Sequence, residues 1–278
     1  MAELGIDMLS VFGLPPVEHV QLAARLGCRH ISTGLTGVSL PAVPYPRFSL
    51  RDDAGLRADL IAVLDDTGVS IALGEGFVIA LGVDAATWAA DLDVMAELRI
   101  PRINVVSFDF DLPRTYDQLA ALTEVASERS IVTTIELVPG LPIGDLPTAI
   151  DALDHVGRAE LTLLIDTMHI ARSGATADDL RAIPAERIGY VQLSDATREP
   201  QQGSHFEEAL YHRMVPGDGE LPLLELLAAL PPDRVVGLEI PMRSLAEDGV
   251  GPDDRLRPCV ERAHALLAQA QDLRRAKA

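Results

Sequence analysis

The chain has 278 residues, 48% hydrophobic and 23% charged, which supplies a barrel-sized core and excludes disorder as a general description. With 42 Asp and Glu against 23 Lys and Arg, the formal charge is −19, so phosphate backbones and anionic head groups are repelled and neither nucleic acid nor a membrane surface is expected as a partner. No segment reaches the roughly 18 uninterrupted apolar residues of a membrane span, and the opening Met1-Ala2-Glu3-Leu4 lacks the basic flank of a signal peptide, so a cytoplasmic location is expected.

Short apolar or β-branched runs alternate with helical segments along the whole chain. Strands are predicted over 8–12, 30–34, 70–75, 102–108, 132–138, 161–167, 189–194 and 236–240. Helices are predicted over 52–66, 84–98, 115–129, 145–156 and 178–182, each opening on Asp or Thr, whose side-chain oxygens suit an N-cap. Eight strand–helix units without a Ser/Gly linker predict one α/β domain spanning 1–278, a (β/α)8 TIM barrel. No GxGxxG or GxxxxGKS opens a helix, which sets aside the nucleotide-binding open sheets. Two stretches, 36–49 and 196–220, exceed the median βα loop of about five residues, and both follow strands, so they belong at the catalytic end of such a barrel.

Cys28 and Cys259 stand far apart with no CxxC, and read as small apolar residues. Any metal must then be held by oxygen and nitrogen. Four predicted strands close on an oxygen-bearing side chain amid apolar neighbours: Glu136, Asp166, Gln192 and Glu239. Period-two alternation turns each inward, with Ile135, Ile165, Val191 and Leu238 facing the helices. Three carboxylates buried together demand a cation or shared protons. A divalent ion is the simplest answer, and three carboxylates with one amide oxygen favour Mn²⁺ or Mg²⁺ over Zn²⁺. Any one of these acids alone is more often a helix cap or an ion-pair partner than a ligand; four on consecutive strands change that balance.

The runs Ile165-Asp166-Thr167-Met168-His169, Tyr190-Val191-Gln192-Leu193-Ser194-Asp195, Pro216-Gly217-Asp218-Gly219-Glu220 and Leu238-Glu239-Ile240-Pro241 resemble the xylose isomerase-like barrels of the sugar isomerase and epimerase family. That group includes ketose 3-epimerases, hydroxypyruvate isomerase and keto-inositol dehydratase. The resemblance implies Glu136, Asp166, Gln192 and Glu239 as ligands of one divalent metal, and His169 and Arg198 as substrate-binding residues. It also implies a double role for Glu136 and Glu239, as ligands and as the acid/base pair. Epimerases of the family usually carry His at the third ligand position, whereas the hydroxypyruvate isomerase type carries Gln, as here.

A metal in the mouth would polarise a carbonyl and its neighbouring hydroxyl and stabilise an enediolate, while two glutamates move a proton between carbons or between faces of one carbon. The expected function is a metal-dependent isomerase or epimerase of a keto-sugar or related hydroxy-carbonyl compound. A lyase acting on a keto-sugar, keto-inositol or dehydroshikimate-like substrate uses the same residues, and a metal- or sugar-binding barrel without turnover is the non-enzyme alternative. Glu75 ends the third strand and is open to lining the pocket or to an ion pair. His205, His212 and Arg213 read as surface residues or as groups that close over a ligand. Arg47, Arg51, Arg198 and Arg213 are the candidate anion anchors, none in a Gly-rich cradle, which favours an unphosphorylated small-molecule substrate. The apolar run 221–230 fits either core packing or a subunit contact, leaving a homo-oligomer open.

Overall fold

A computed structural model describes residues 2–277. Eight parallel strands close on themselves in chain order: β1 (Leu4–Ile6), β2 (His30–Gly34), β3 (Ser70–Ile79), β4 (Arg102–Ser107), β5 (Val132–Glu136), β6 (Leu161–Asp166), β7 (Ile188–Leu193) and β8 (Val236–Leu238). Closure runs through β1 and β8, with Leu4 opposite Val236 and Ile6 opposite Leu238. This is the predicted (β/α)8 barrel.

The strand alternation divides the apolar residues into two sets. Ile135, Ile165, Val191 and Leu238 face outward and are buried in the main core beneath the helices. Ala72, Leu73, Leu164 and Tyr190 form a small separate cluster. Glu136, Asp166 and Gln192 sit at or near the C-terminal ends of their strands and are buried. Active sites of such barrels are built at that end.

Helix starts follow local chemistry. Asp53, Asp111 and Asp145 cap the helices Ala54–Thr67, Leu112–Ser127 and Leu146–Val156, each carboxylate accepting the backbone N–H three residues on. Thr176 and Asp179 form a capping box at Ala177–Arg181.

Several boundaries depart from the sequence reading: β3 runs on to Ile79, β5 and β8 end two residues early, and the segment predicted over 84–98 divides into a 3₁₀ turn, Ala85–Trp88, and the helix Ala89–Glu97. The run 8–12 is a turn of 3₁₀ helix, Met8–Val11, and the first strand is the three-residue Leu4–Ile6 before it. Ser10 and Val11 are buried under the barrel rim, so this turn carries the apolarity of a strand without its pairing. The helix predicted over 115–129 starts at Leu112, since Pro113 occupies its first turn, where a missing N–H costs nothing. The buried hydroxyl of Thr115 instead bonds Ser107 and the Asp109 carbonyl.

The apolar run 221–230 supplies Leu223, Leu226 and Leu227 to the core. Both cysteines are free and buried, and burial pushes each thiol up to about 12. Among the described residues no helix is long and apolar enough to cross a membrane.

Candidate active site

The barrel mouth opens into a cavity of 260 Å³ whose lining includes Glu75, Asn104, Glu136, His169, Arg213 and Glu239. Glu136 is fixed by two neighbours. Asn104 donates to its Oε2 at 2.6 Å, and His169 Nε2 lies 3.3 Å from Oε1. Asp166 has two tasks: Oδ1 caps the helix Thr167–Arg172 by accepting the His169 N–H at 2.9 Å, and Oδ2 pairs with Arg213. One oxygen of Asp166 therefore does belong to a helix cap, while the other faces the site. Oxygen or nitrogen atoms of Glu136, Asp166 and His169 all lie within 4.8 Å of one another.

Glu239, just beyond β8, pairs with the same guanidinium, Arg213 Nη2 to Oε2 at 2.7 Å, and accepts from Gln192 Nε2 at 3.0 Å. Gln192 donates a second time from Nε2, to Asp7 Oδ2 at 3.0 Å. Asp7 is wholly buried just past β1, and its other oxygen accepts from the Tyr190 hydroxyl at 2.9 Å. Space for this carboxylate exists because Gly237 faces it: a Cβ there would overlap both Asp7 oxygens and the Tyr190 hydroxyl. Gly237→Ala is expected to destabilise the protein by about 1–3 kcal/mol and to weaken metal binding by turning the Gln192 amide, as measured by denaturant melting and metal titration. Unchanged melting and metal affinity would show that the Asp7 contact is dispensable.

Crowding of carboxylates sets the electrostatics. Burial pushes Glu239 well above the ordinary carboxylate range; Arg213 pulls the other way, while Glu136, Asp166 and Glu75 reinforce the rise. Burial also acts to raise Asp166, but Arg213 and His169 outweigh it and hold that carboxyl low. Asp7 is raised to about 6, chiefly by burial against the bonds from Gln192 and Tyr190. Glu75 is raised to about 8, first by burial and then by repulsion from Asp7 and Glu136.

A carboxyl whose folded value exceeds its unfolded one adds stability that is complete below the unfolded value, 4.5 for Glu75, and lost as pH rises through the folded one, about 8. Glu75→Gln is therefore expected to leave metal-free stability nearly unchanged at pH 5 and to raise it by about 2–4 kcal/mol at pH 9, as read by chemical denaturation. A pH-independent difference would mean that Glu75 does not titrate in the fold.

Of the predicted site residues, Glu136, Asp166, Gln192, Glu239 and His169 come together at the mouth. Arg198 does not join them. It is exposed on the loop after β7, where its backbone N–H donates to Glu220, and it lines a separate cleft with Arg172 and Pro222. The guanidinium that reaches the cavity belongs to Arg213, from the far end of the same loop and nearly inaccessible to solvent. His205, on the helix His205–Tyr211 within that loop, bonds its Nε2 to His169 Nδ1 at 2.9 Å; burial, and then the charges of His169 and Arg172, lower it to about 3, which keeps it neutral. Arg51 is committed to Asp91 at 2.6 Å.

The residues fit a divalent cation. Gln192 Oε1 is buried with no hydrogen-bond partner while its N–H group is doubly engaged, which leaves a hard oxygen donor beside three carboxylates.

A sequence model described as the xylose isomerase-like TIM barrel matches residues 20–265. The chain belongs to the xylose isomerase-like TIM barrel family. Within 123 residues it is 25% identical to a D-psicose 3-epimerase of Enterocloster bolteae; the match covers 43% of this chain and 36% of that enzyme. The chain thus spans about a third of the curated relative's length in that match. Among solved structures, the IOLI protein with a bound zinc atom superposes with a TM-score of 0.80 at 15% identity, covering 96% of this chain and 99% of that one. A D-psicose 3-epimerase with D-tagatose from Clostridium cellulolyticum H10 gives 0.69 at 15% identity, covering 98% and 99%. Both superpositions establish a shared fold.

Within this family frame, two residues, Asp7 and Asn104, lie outside the sequence reading of the site, and a third, Arg213, enters it only as one loop arginine among several. Asp7 stands at a strand end like the ligands, but the first strand was predicted over 8–12, which set Asp7 before the strand rather than after it. Asn104 lies inside β4 and carries no motif. Arg213 was placed among the loop residues, because counting six positions past Gln192 reaches Arg198, and the loop makes a helical excursion before it returns to the mouth.

Proposed function

We propose that this chain is a divalent-metal-dependent isomerase or epimerase of a keto-sugar or related hydroxy-carbonyl compound. The observation that carries this reading is the joining of Glu136 and Glu239, which line the cavity, to Asp166 through Arg213 and His169 and to Gln192, whose Oε1 is buried without a partner. Glu136, Asp166, Gln192 and Glu239 would hold the ion, and their oxygen donors favour Mn²⁺ or Mg²⁺. Bound there, the ion would supply Lewis-acid polarisation of a carbonyl and its neighbouring hydroxyl.

The chain's own groups account for the remaining steps. Glu136, held in one orientation by Asn104 and His169, is set to take a proton from the carbon beside the carbonyl. Glu239, oriented by Arg213 and the Gln192 amide, is set to return one on its own side of the cavity. His169 and Arg213 offer N–H groups to substrate oxygens, and Arg213 balances the negative charge that develops. The curated relative and one of the superposed structures are named as 3-epimerases of ketoses, in keeping with this chemistry.

Two measurements test the reading. Elemental analysis is expected to find about one equivalent of Mn²⁺ or Mg²⁺, with the melting temperature falling on chelation and returning on add-back. In D₂O with Mg²⁺, a ketol substrate is expected to exchange the hydrogen on its carbinol carbon, followed by NMR. No metal and no response to added metal would mean that the carboxylates form a proton-sharing network, and the proposal would fall.

A further inference from the structure

The polar groups of the cavity are confined to its floor. Every ionisable or amide side chain that lines it is one of the six named above, whereas the walls rise through Leu9, Val106, Val138 and Leu141 to a rim of Phe108 and Phe206. The two rim rings meet edge to face, with centroids 6.2 Å apart. They stay 42% and 41% exposed, where a buried core would have absorbed them, and so present aromatic surface to whatever enters. A wall with no hydrogen-bonding side chain suits one end of a ligand and penalises another. An open-chain ketohexose gripped by its carbonyl end would set its remaining hydroxyls against aliphatic and aromatic carbon, and each hydroxyl stripped of water without a partner weakens binding. An apolar tail loses nothing there and gains from burial.

We infer that the substrate carries its hydroxy-carbonyl group at one end of an apolar body, as an aryl or alkyl ketol does, rather than along a polyhydroxylated chain. This rests on the proton-transfer reading above and narrows it to a substrate class. On that reading the floor would engage two adjacent oxygens, and the cavity of 260 Å³ leaves room for one ring or a short branched chain above them.

The test separates binding from reaction. Calorimetric titration of the Mg²⁺-loaded protein with benzohydroxamate and with gluconohydroxamate compares two ligands that share a head group and differ in the tail. Benzohydroxamate is expected to bind at least about tenfold more tightly. Val106→Thr, which adds a hydroxyl to the wall at nearly constant volume, is expected to narrow that ratio. In D₂O, phenylacetylcarbinol is expected to exchange its carbinol hydrogen at a kcat/KM about tenfold or more above the exchange shown by D-fructose. Equal or tighter binding of the polyol hydroxamate, or faster exchange of the ketohexose, would overturn the inference. A clear benzohydroxamate preference without exchange of either ketol would leave the apolar wall standing and remove the proton-transfer reading instead.

Discussion

Replacing Glu239 by Gln is expected to lower turnover by about three orders of magnitude while leaving the barrel folded. The amide matches the carboxylate in shape but cannot take up or release a proton. It also has a single acceptor oxygen for the two donors that now meet this side chain, Gln192 Nε2 and Arg213 Nη2, so one of those contacts is lost. Substrate exchange in D₂O reads the chemical step, and circular dichroism with a melting curve confirms the fold. Turnover within about tenfold of the parent would sink the two-glutamate mechanism, since Asp166, the other carboxylate paired with Arg213, is held low.

Arg213→Met is expected to destabilise the metal-free protein by about 3–5 kcal/mol, the usual cost of removing one partner from a buried ion pair. Arg213 touches Asp166 and Glu239 together, and all three side chains are almost entirely shielded from water. Without the guanidinium the two carboxylates face each other uncompensated. Chemical denaturation after exhaustive chelation measures the loss. Added Mn²⁺ should then stabilise the variant more than the parent, because the ion restores a missing positive charge as well as filling its ligands. A variant as stable as the parent without metal would show that the carboxylates shed their charge by protonation and need no cation.

Much of this molecule is legible in its sequence. The repeat of strand and helix specified the barrel, because buried parallel strands leave uninterrupted apolar runs and their helices begin with cap residues such as Asp53 and Asp145. The ends of β5, β6 and β7 stood out for the converse reason, a polar side chain where alternation points inward. What stayed hidden is what depends on three-dimensional closure. Leu4–Ile6 is too short to show a period, so the Met8–Val11 turn took its place and Asp7 lost its meaning. Nothing in the sequence separates Arg213 from Arg198, since both are loop arginines; only the burial of one and the exposure of the other distinguishes them.

The loop that delivers Arg213 is pinned at both ends by one side chain. Asp195 accepts the N–H of Ala196 where the loop leaves β7, and those of Gly217, Gly219 and Leu221 where it returns, at 2.8–3.2 Å. Its backbone also exchanges both hydrogen bonds with Met214, next to Arg213. The intervening stretch, with its exposed Arg198 and the short helix carrying His205 and Phe206, is a closed hoop whose ends are soldered together. Loop-closure cost grows only slowly with length once the ends are fixed. Residues 199–204 can therefore be lengthened, shortened or exchanged as a cassette, while Ala209, whose carbonyl accepts from Arg213 Nε, keeps the guanidinium at the barrel floor.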